Sequence, residues 1–215
     1  LCNLTIDGAK SVQARFNLVT YPLTITRTGS GGGTVVSNPA GINCGATCTA
    51  SFTTGAMVIL TATAAANSTF TGWTGGGCSG TGPCTTTIAA ATSISAGFTL
   101  NSYVLTVAKA GNSTGTVSSN PPGIDCGADC SESYLATTPV VLSAVPDANT
   151  TFTGWSGGGC SGTGTCVVAM TSATTVTATF TLNTYTLSVT IGASTGTGSV
   201  SSSPAGISCG AACTE

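Results

Sequence analysis

The chain has 215 residues, of which 5% are charged and 41% hydrophobic, with a formal net charge of −2 and no histidine. Four Lys and Arg in all leave no basic footprint for nucleic acid, and the missing histidines remove the commonest general base and metal ligand. Thr, Ser or Gly interrupts every apolar run before the roughly 20 residues that a membrane-spanning helix needs.

Residues 1–20 hold the alternation Val12, Ala14, Phe16, which reads as a half-buried strand. Tyr21, Leu23 and Ile25 begin a second strand, and the turn Asn38-Pro39-Ala40-Gly41 closes the first corner. The pair Cys44 and Cys48 follows, then a strand on Val58, Leu60 and Ala62. Beyond it lie Trp73, the run Gly75-Gly76-Gly77, and Cys78 and Cys84. The strand Ile94, Ala96, Phe98 ends the series, and Tyr103 opens the same order again after four residues. The segment TFTGWTGGGCSGTG at 69–82 returns at 151–164 with one change, and Phe16, Phe98 and Phe180 stand at the same interval. Such fixed-period self-similarity marks a repeat protein. The expected divisions are 1–20, the C-terminal part of a preceding repeat; 21–102 and 103–184, complete repeats; and 185–215, the N-terminal part of a further one.

Each repeat is expected to be all-β, with about six short strands rich in Thr, Val and Ile, whose branched side chains suit a pleated surface. The one stretch offered as a helix is 131–136. The resulting class is a series of small tandem β domains, β-sandwich or β-grasp-like, stapled by disulfides.

The cysteines obey a rule: Cys44/Cys48, Cys126/Cys130 and Cys209/Cys213 have three intervening residues, and Cys78/Cys84 and Cys160/Cys166 have five. Four thiols per repeat also fit zinc, but the spacings are not those of zinc knuckles, so disulfides and an oxidising compartment are the preferred reading. Closure within each short loop is preferred over a cross-link between the two loops. Cys2 aligns with Cys84 and is left unpaired or intermolecular.

The residues Y-x-L-T-V, GTVSSNPPGIDCGADC, VVLSAVP, TFTGWSGGGCSGTGTC and TVTATF, in that order, resemble the bacterial divergent internalin-type B-repeat family. The resemblance covers essentially the whole chain. It implies a large secreted or surface-anchored bacterial protein, in which such repeats serve as stalks or adhesive arrays. The related internalin B-repeat is similar to a β-grasp domain, which implies one helix.

Candidate chemistry is sparse. Asp125, Asp129 and Glu132 surround one cysteine pair, but Asn43, Thr47 and Ala50 occupy those places in the first repeat, so a solvated acidic loop is preferred over calcium binding or catalysis. Trp73 and Trp155 are read as core residues before sugar platforms. The Asn-x-Ser/Thr matches at Asn3, Asn67, Asn112 and Asn149 are read as composition. No catalytic, cofactor or metal residue is assigned. The expected function is a non-enzymatic structural segment of a long extracellular or cell-surface protein, forming a stalk or fibre. The alternatives are adhesin repeats that bind a glycan or host protein, and accessory repeats of a secreted enzyme. Partners are neighbouring repeats or copies of the chain, with a glycan or other surface ligand as a further partner, and no nucleic acid. Residues 103–107 or 185–189 are expected to be available for strand pairing with a neighbour, and 1–20 and 185–215 to be either disordered or completed by another chain.

Overall fold

The computed structural model describes residues 3–190 and 198–209. Its contacts divide the chain into two units, one running to Tyr103 with Leu135–Thr137, the other comprising Val104–Tyr134 and the residues from Thr138 onward. Among the described residues every regular element is a strand. The fold is therefore all-β, and the helix implied by a β-grasp is not found.

In the first unit β1 (Thr20–Thr28), β4 (Thr49–Thr53), β6 (Ser68–Thr74) and β8 (Thr92–Leu100) form one sheet in the order β4-β1-β8-β6. β2 (Gly33–Asn38), β3 (Asn43–Cys44), β5 (Met57–Ala64) and β7 (Cys84–Thr87) form the other, in the order β3-β2-β5-β7. All pairings are antiparallel except β1 with β8, which run parallel with Leu23 opposite Thr92 and Thr28 opposite Gly97. The inner faces share one core: Leu23, Ile25, Ile94 and Phe98 from the first sheet meet Val35, Val58 and Leu60 from the second. Two sheets closed over one apolar layer make a sandwich.

The second unit repeats this plan. β9 (Ser102–Gly111), β11 (Ser131–Leu135), β13 (Thr150–Ser156) and β15 (Thr174–Leu182) stand in the order β11-β9-β15-β13, and β10 (Gly115–Asn120), β12 (Pro139–Pro146) and β14 (Cys166–Ala169) in the order β10-β12-β14. β9 and β15 are again the parallel pair. Residues 185–190 and 198–209 add only β16 (Val200–Ser201) and β17 (Ser208–Cys209).

Three expectations are corrected. Residues 131–136 hold strand β11 instead of a helix: Tyr134 is buried while Ser133 and Leu135 are exposed, the period of a strand. Val12, Ala14 and Phe16 form no strand, and Phe16 is 94% exposed. Its counterpart Phe98 lies on β8, which is paired on both sides by β1 and β6, whereas among the described residues 12–16 pair with no strand that would cover the apolar side. Residues 103–107 lie within β9, which has β11 on one side and β15 on the other, so this strand has no open edge to offer a neighbour.

The proline corner keeps one amide-to-serine bond in all three copies, while in the second the Tyr134 hydroxyl, 2.7 Å from Ser119 Oγ, takes over the donation to the proline carbonyl, reaching Pro121 at 3.4 Å. Ser37 Oγ accepts from the Ile42 amide at 2.9 Å and donates to the Pro39 carbonyl at 2.8 Å. Ser119 Oγ accepts from Ile124 at 2.9 Å, and Ser202 Oγ accepts from Ile207 at 3.0 Å and donates to Pro204 at 2.7 Å. The peptide bonds before Pro39, Pro121 and Pro204 are all cis.

Candidate functional site

The glycine-rich loop is bolted to the sandwich by its tryptophan. Trp73 is 3% and Trp155 5% exposed. Each indole Nε1 donates to a loop carbonyl, Trp73 to Gly82 at 2.8 Å and Trp155 to Gly164 at 2.6 Å. The backbone amides of the same residues donate to Gly80 and Gly162 at 3.0 and 2.9 Å. Phe70 meets Trp73 edge-on at 5.0 Å between centroids and Phe98 at 5.2 Å, and Phe152 does the same between Trp155 and Phe180. The rings are core, satisfied at their polar ends, and present no face on which a sugar could stack.

Bridges close the loops on either side of β5 and β12. Cys44 pairs with Cys48 and Cys126 with Cys130, with Cα atoms 4.2 and 4.3 Å apart. Cys78 pairs with Cys84 and Cys160 with Cys166, both with Cα atoms 5.5 Å apart. The first disulfide turn of each unit is tied to the sheet by a backbone bond, Ile25 donating to Cys48 and Val107 to Cys130, each at 2.8 Å. Cys209 is buried in β17. Cys2 and Cys213 lie outside the described residues.

The three acids do not converge on a cation. Asp129 Oδ1 accepts from the Ser131 amide at 3.1 Å and Glu132 Oε1 from the Ser133 amide at 2.6 Å. Asp125 and Asp129 face each other through backbone bonds of 3.0 and 2.8 Å across the disulfide turn. Among the described residues no three His, Cys, Asp or Glu side chains are grouped to hold a metal ion. No described helix is long and apolar enough to cross a membrane.

The asparagines singled out by sequence shape turns. Asn67 and Asn149 adopt φ of 58° and 60°, a conformation asparagine tolerates better than most residues. Their carbonyls accept from the Asn101 and Asn183 amides at 2.9 and 2.8 Å. Asn112 Oδ1 accepts from the Leu182 amide at 2.9 Å.

Sequence reasoning overlooked the chemical character of the outer faces. On the sheet of β1 and β8, Thr24 stands opposite Ser93 and Thr26 opposite Ser95, all with their side chains away from the core. In the second unit Thr106 stands opposite Thr175. The opposite sheet of the first unit carries aliphatic side chains outward: Val36 is 45%, Met57 62% and Ile59 37% exposed. The strand alternation already contained this signal in its polar half, but only the sheet order brings the strands side by side.

Comparison with known proteins adds one firm relation. The family model described as the divergent InlB B-repeat domain matches residues 21–102 and again 103–184. Among solved structures, the chain is similar to the TIE protein of Bacillus anthracis, with 8% identity and a TM-score of 0.47 over 76% of this chain and 34% of that one. It is also similar to the major pilin protein (T-13) of Streptococcus pyogenes, with 8% identity and a TM-score of 0.35 over 76% of this chain and 97% of that one. The chain thus spans about a third of the length of the TIE protein. No curated protein matches it.

Proposed function

We propose a non-enzymatic structural role, and its premise is that the chain belongs to the divergent InlB B-repeat family. In this reading residues 21–102 and 103–184 are complete repeats of a long extracellular bacterial protein, 1–20 and 185–215 are parts of the repeats on either side, and the whole forms a stalk or fibre. The observation that carries it is the tandem plan: two successive sandwiches, each with its own core and two short disulfide loops, whose strands β8 and β9 are separated by Asn101 alone. Loops this small stiffen a unit without linking it to another, and disulfides persist in compartments outside the reducing cytosol. Neighbouring repeats and copies of the chain are its partners.

A second reading, adhesin repeats, is favoured by the exposed Val36, Met57 and Ile59 on an outer face without charge, a surface suited to a protein or neutral glycan ligand. Accessory repeats of a secreted enzyme are the third, and the sequence of flanking modules decides that case. Antibodies against the two-repeat segment, applied to intact source cells, test the array: labelling without permeabilisation is the outcome expected. Labelling only after permeabilisation contradicts it. A glycan array and a pull-down with the same segment separate a passive array, which captures nothing, from an adhesin.

A further inference from the structure

The two strands at the ends of each unit are neighbours in one sheet and run parallel. β1 enters the first unit at Thr20 and β8 leaves it at Leu100; they pair from Leu23 opposite Thr92 to Thr28 opposite Gly97. β9 and β15 do the same in the second unit, from Leu105 opposite Thr174 to Gly111 opposite Phe180. In a parallel pair the first residue of one strand and the last residue of the other lie at opposite ends of the ladder. Tension between the ends of a unit therefore slides the two strands along each other. All the inter-strand bonds are then loaded together, and none breaks before its neighbours have been strained.

We propose that each unit is a tensile clamp, in which the parallel terminal pair, β1 with β8 and β9 with β15, bears stretching force in shear. Three further features serve that end. The loaded strands are interior: β4 and β6 flank the first pair, β11 and β13 the second, so neither strand can leave from an open edge. Their inward side chains, Leu23 and Ile25 on β1 and Ile94 and Phe98 on β8, are 0–3% exposed, which keeps water from one side of the ladder. Asn101 is the only residue between β8 and β9, so force passes from one clamp to the next with almost no slack. The disulfides lie outside the clamp, between β1 and β8 in sequence, and close separations of 4 and 6 residues, so they hide little chain from extension. The use of the clamp rests on the structural-array reading, whereas its mechanics do not.

Single-molecule force spectroscopy on the full chain tests this by changing only the direction of pull. Handles at the two termini load both units in shear. Moving the C-terminal handle to Ala173, exposed and adjacent to the start of β15, leaves the first unit in shear but pulls β9 and β15 apart from the same end, one bond at a time. End-to-end pulling is expected to give two events of similar force, each releasing at most roughly 270–300 Å of chain from an 82-residue repeat. With the Ala173 handle one event is expected to fall at least about twofold in force, because its ladder bonds now yield singly. Should a handle at Ala173 prevent the second unit from folding, Ala91, at the corresponding place before β8, peels the first unit instead and is expected to show the same drop. Equal forces in shear and peel overturn the clamp and leave the array reading standing. Loss of surface labelling overturns the array reading and leaves the clamp untouched.

Discussion

Phe98 and Phe180 show how single residues set the tolerances of the fold. Both are fully buried, and the chain folds back against them at Gly29 and Gly111, whose φ values are +95° and +100°. A Cβ at either glycine would be driven into the carbonyl oxygen of the facing phenylalanine, and the backbone conformation itself disfavours any side chain there. Gly111→Ala is therefore expected to destabilise the second unit by about 2–4 kcal/mol, seen as a lowered thermal midpoint. Gly164→Ala, where an added Cβ meets nothing within 4 Å, is the control and should leave the midpoint in place. An unchanged midpoint in Gly111→Ala would mean that this close approach does not govern the packing. At this scale much was legible in the sequence. Trp73 and Trp155 were readable as core because no comparably large apolar residue shares their loop, and they are buried. Their indole bonds to Gly82 and Gly164 had no sequence signal, since the acceptors are plain backbone carbonyls nine residues away.

At the scale of elements, period-two alternation identified the strands with aliphatic inner faces, β1, β5 and β8, and their copies. It missed β2 because that strand begins inside a glycine run, Gly31-Gly32-Gly33, which reads as a turn. It mistook β11 because Ser-Glu-Ser-Tyr-Leu has one buried residue, Tyr134, and β9, the strand that fixes it, is distant in sequence. The converse case is Val12, Ala14 and Phe16, which have the pattern of β8 but pair with no strand among the described residues. A pattern specifies which face would be buried; pairing decides whether a strand exists. The hydroxyl-rich and aliphatic outer faces were hidden for the same reason, being assembled from strands far apart in the chain. The short disulfide loops belong to this scale as well. Loop-closure entropy gives each bridge about 2 kcal/mol, because so few residues are enclosed. Reductant is therefore expected to lower the urea midpoint of both units while leaving them folded at low urea. Complete unfolding on reduction would assign the bridges a larger role than loop closure provides.

For the molecule as a whole, repetition, sealed cores, a one-residue junction between terminal strands and a near-absence of charge all support the structural array proposed above. The repeat was legible because two copies can be laid over each other without any structural knowledge. The parallel pairing of the terminal strands was not, because alternation shows which residues face inward but not which strands are neighbours. The claim on which the rest depends is that each repeat is closed by its own local disulfides in the native setting. Peptide mapping without reduction, on protein recovered from source cells under thiol-blocking conditions, tests it directly. The expected result is Cys44–Cys48, Cys78–Cys84, Cys126–Cys130, Cys160–Cys166 and Cys209–Cys213, with Cys2 free or joined to another chain. Uniformly blocked thiols, or stoichiometric zinc on reduced cysteines, would contradict both the stapled repeat and its extracellular setting.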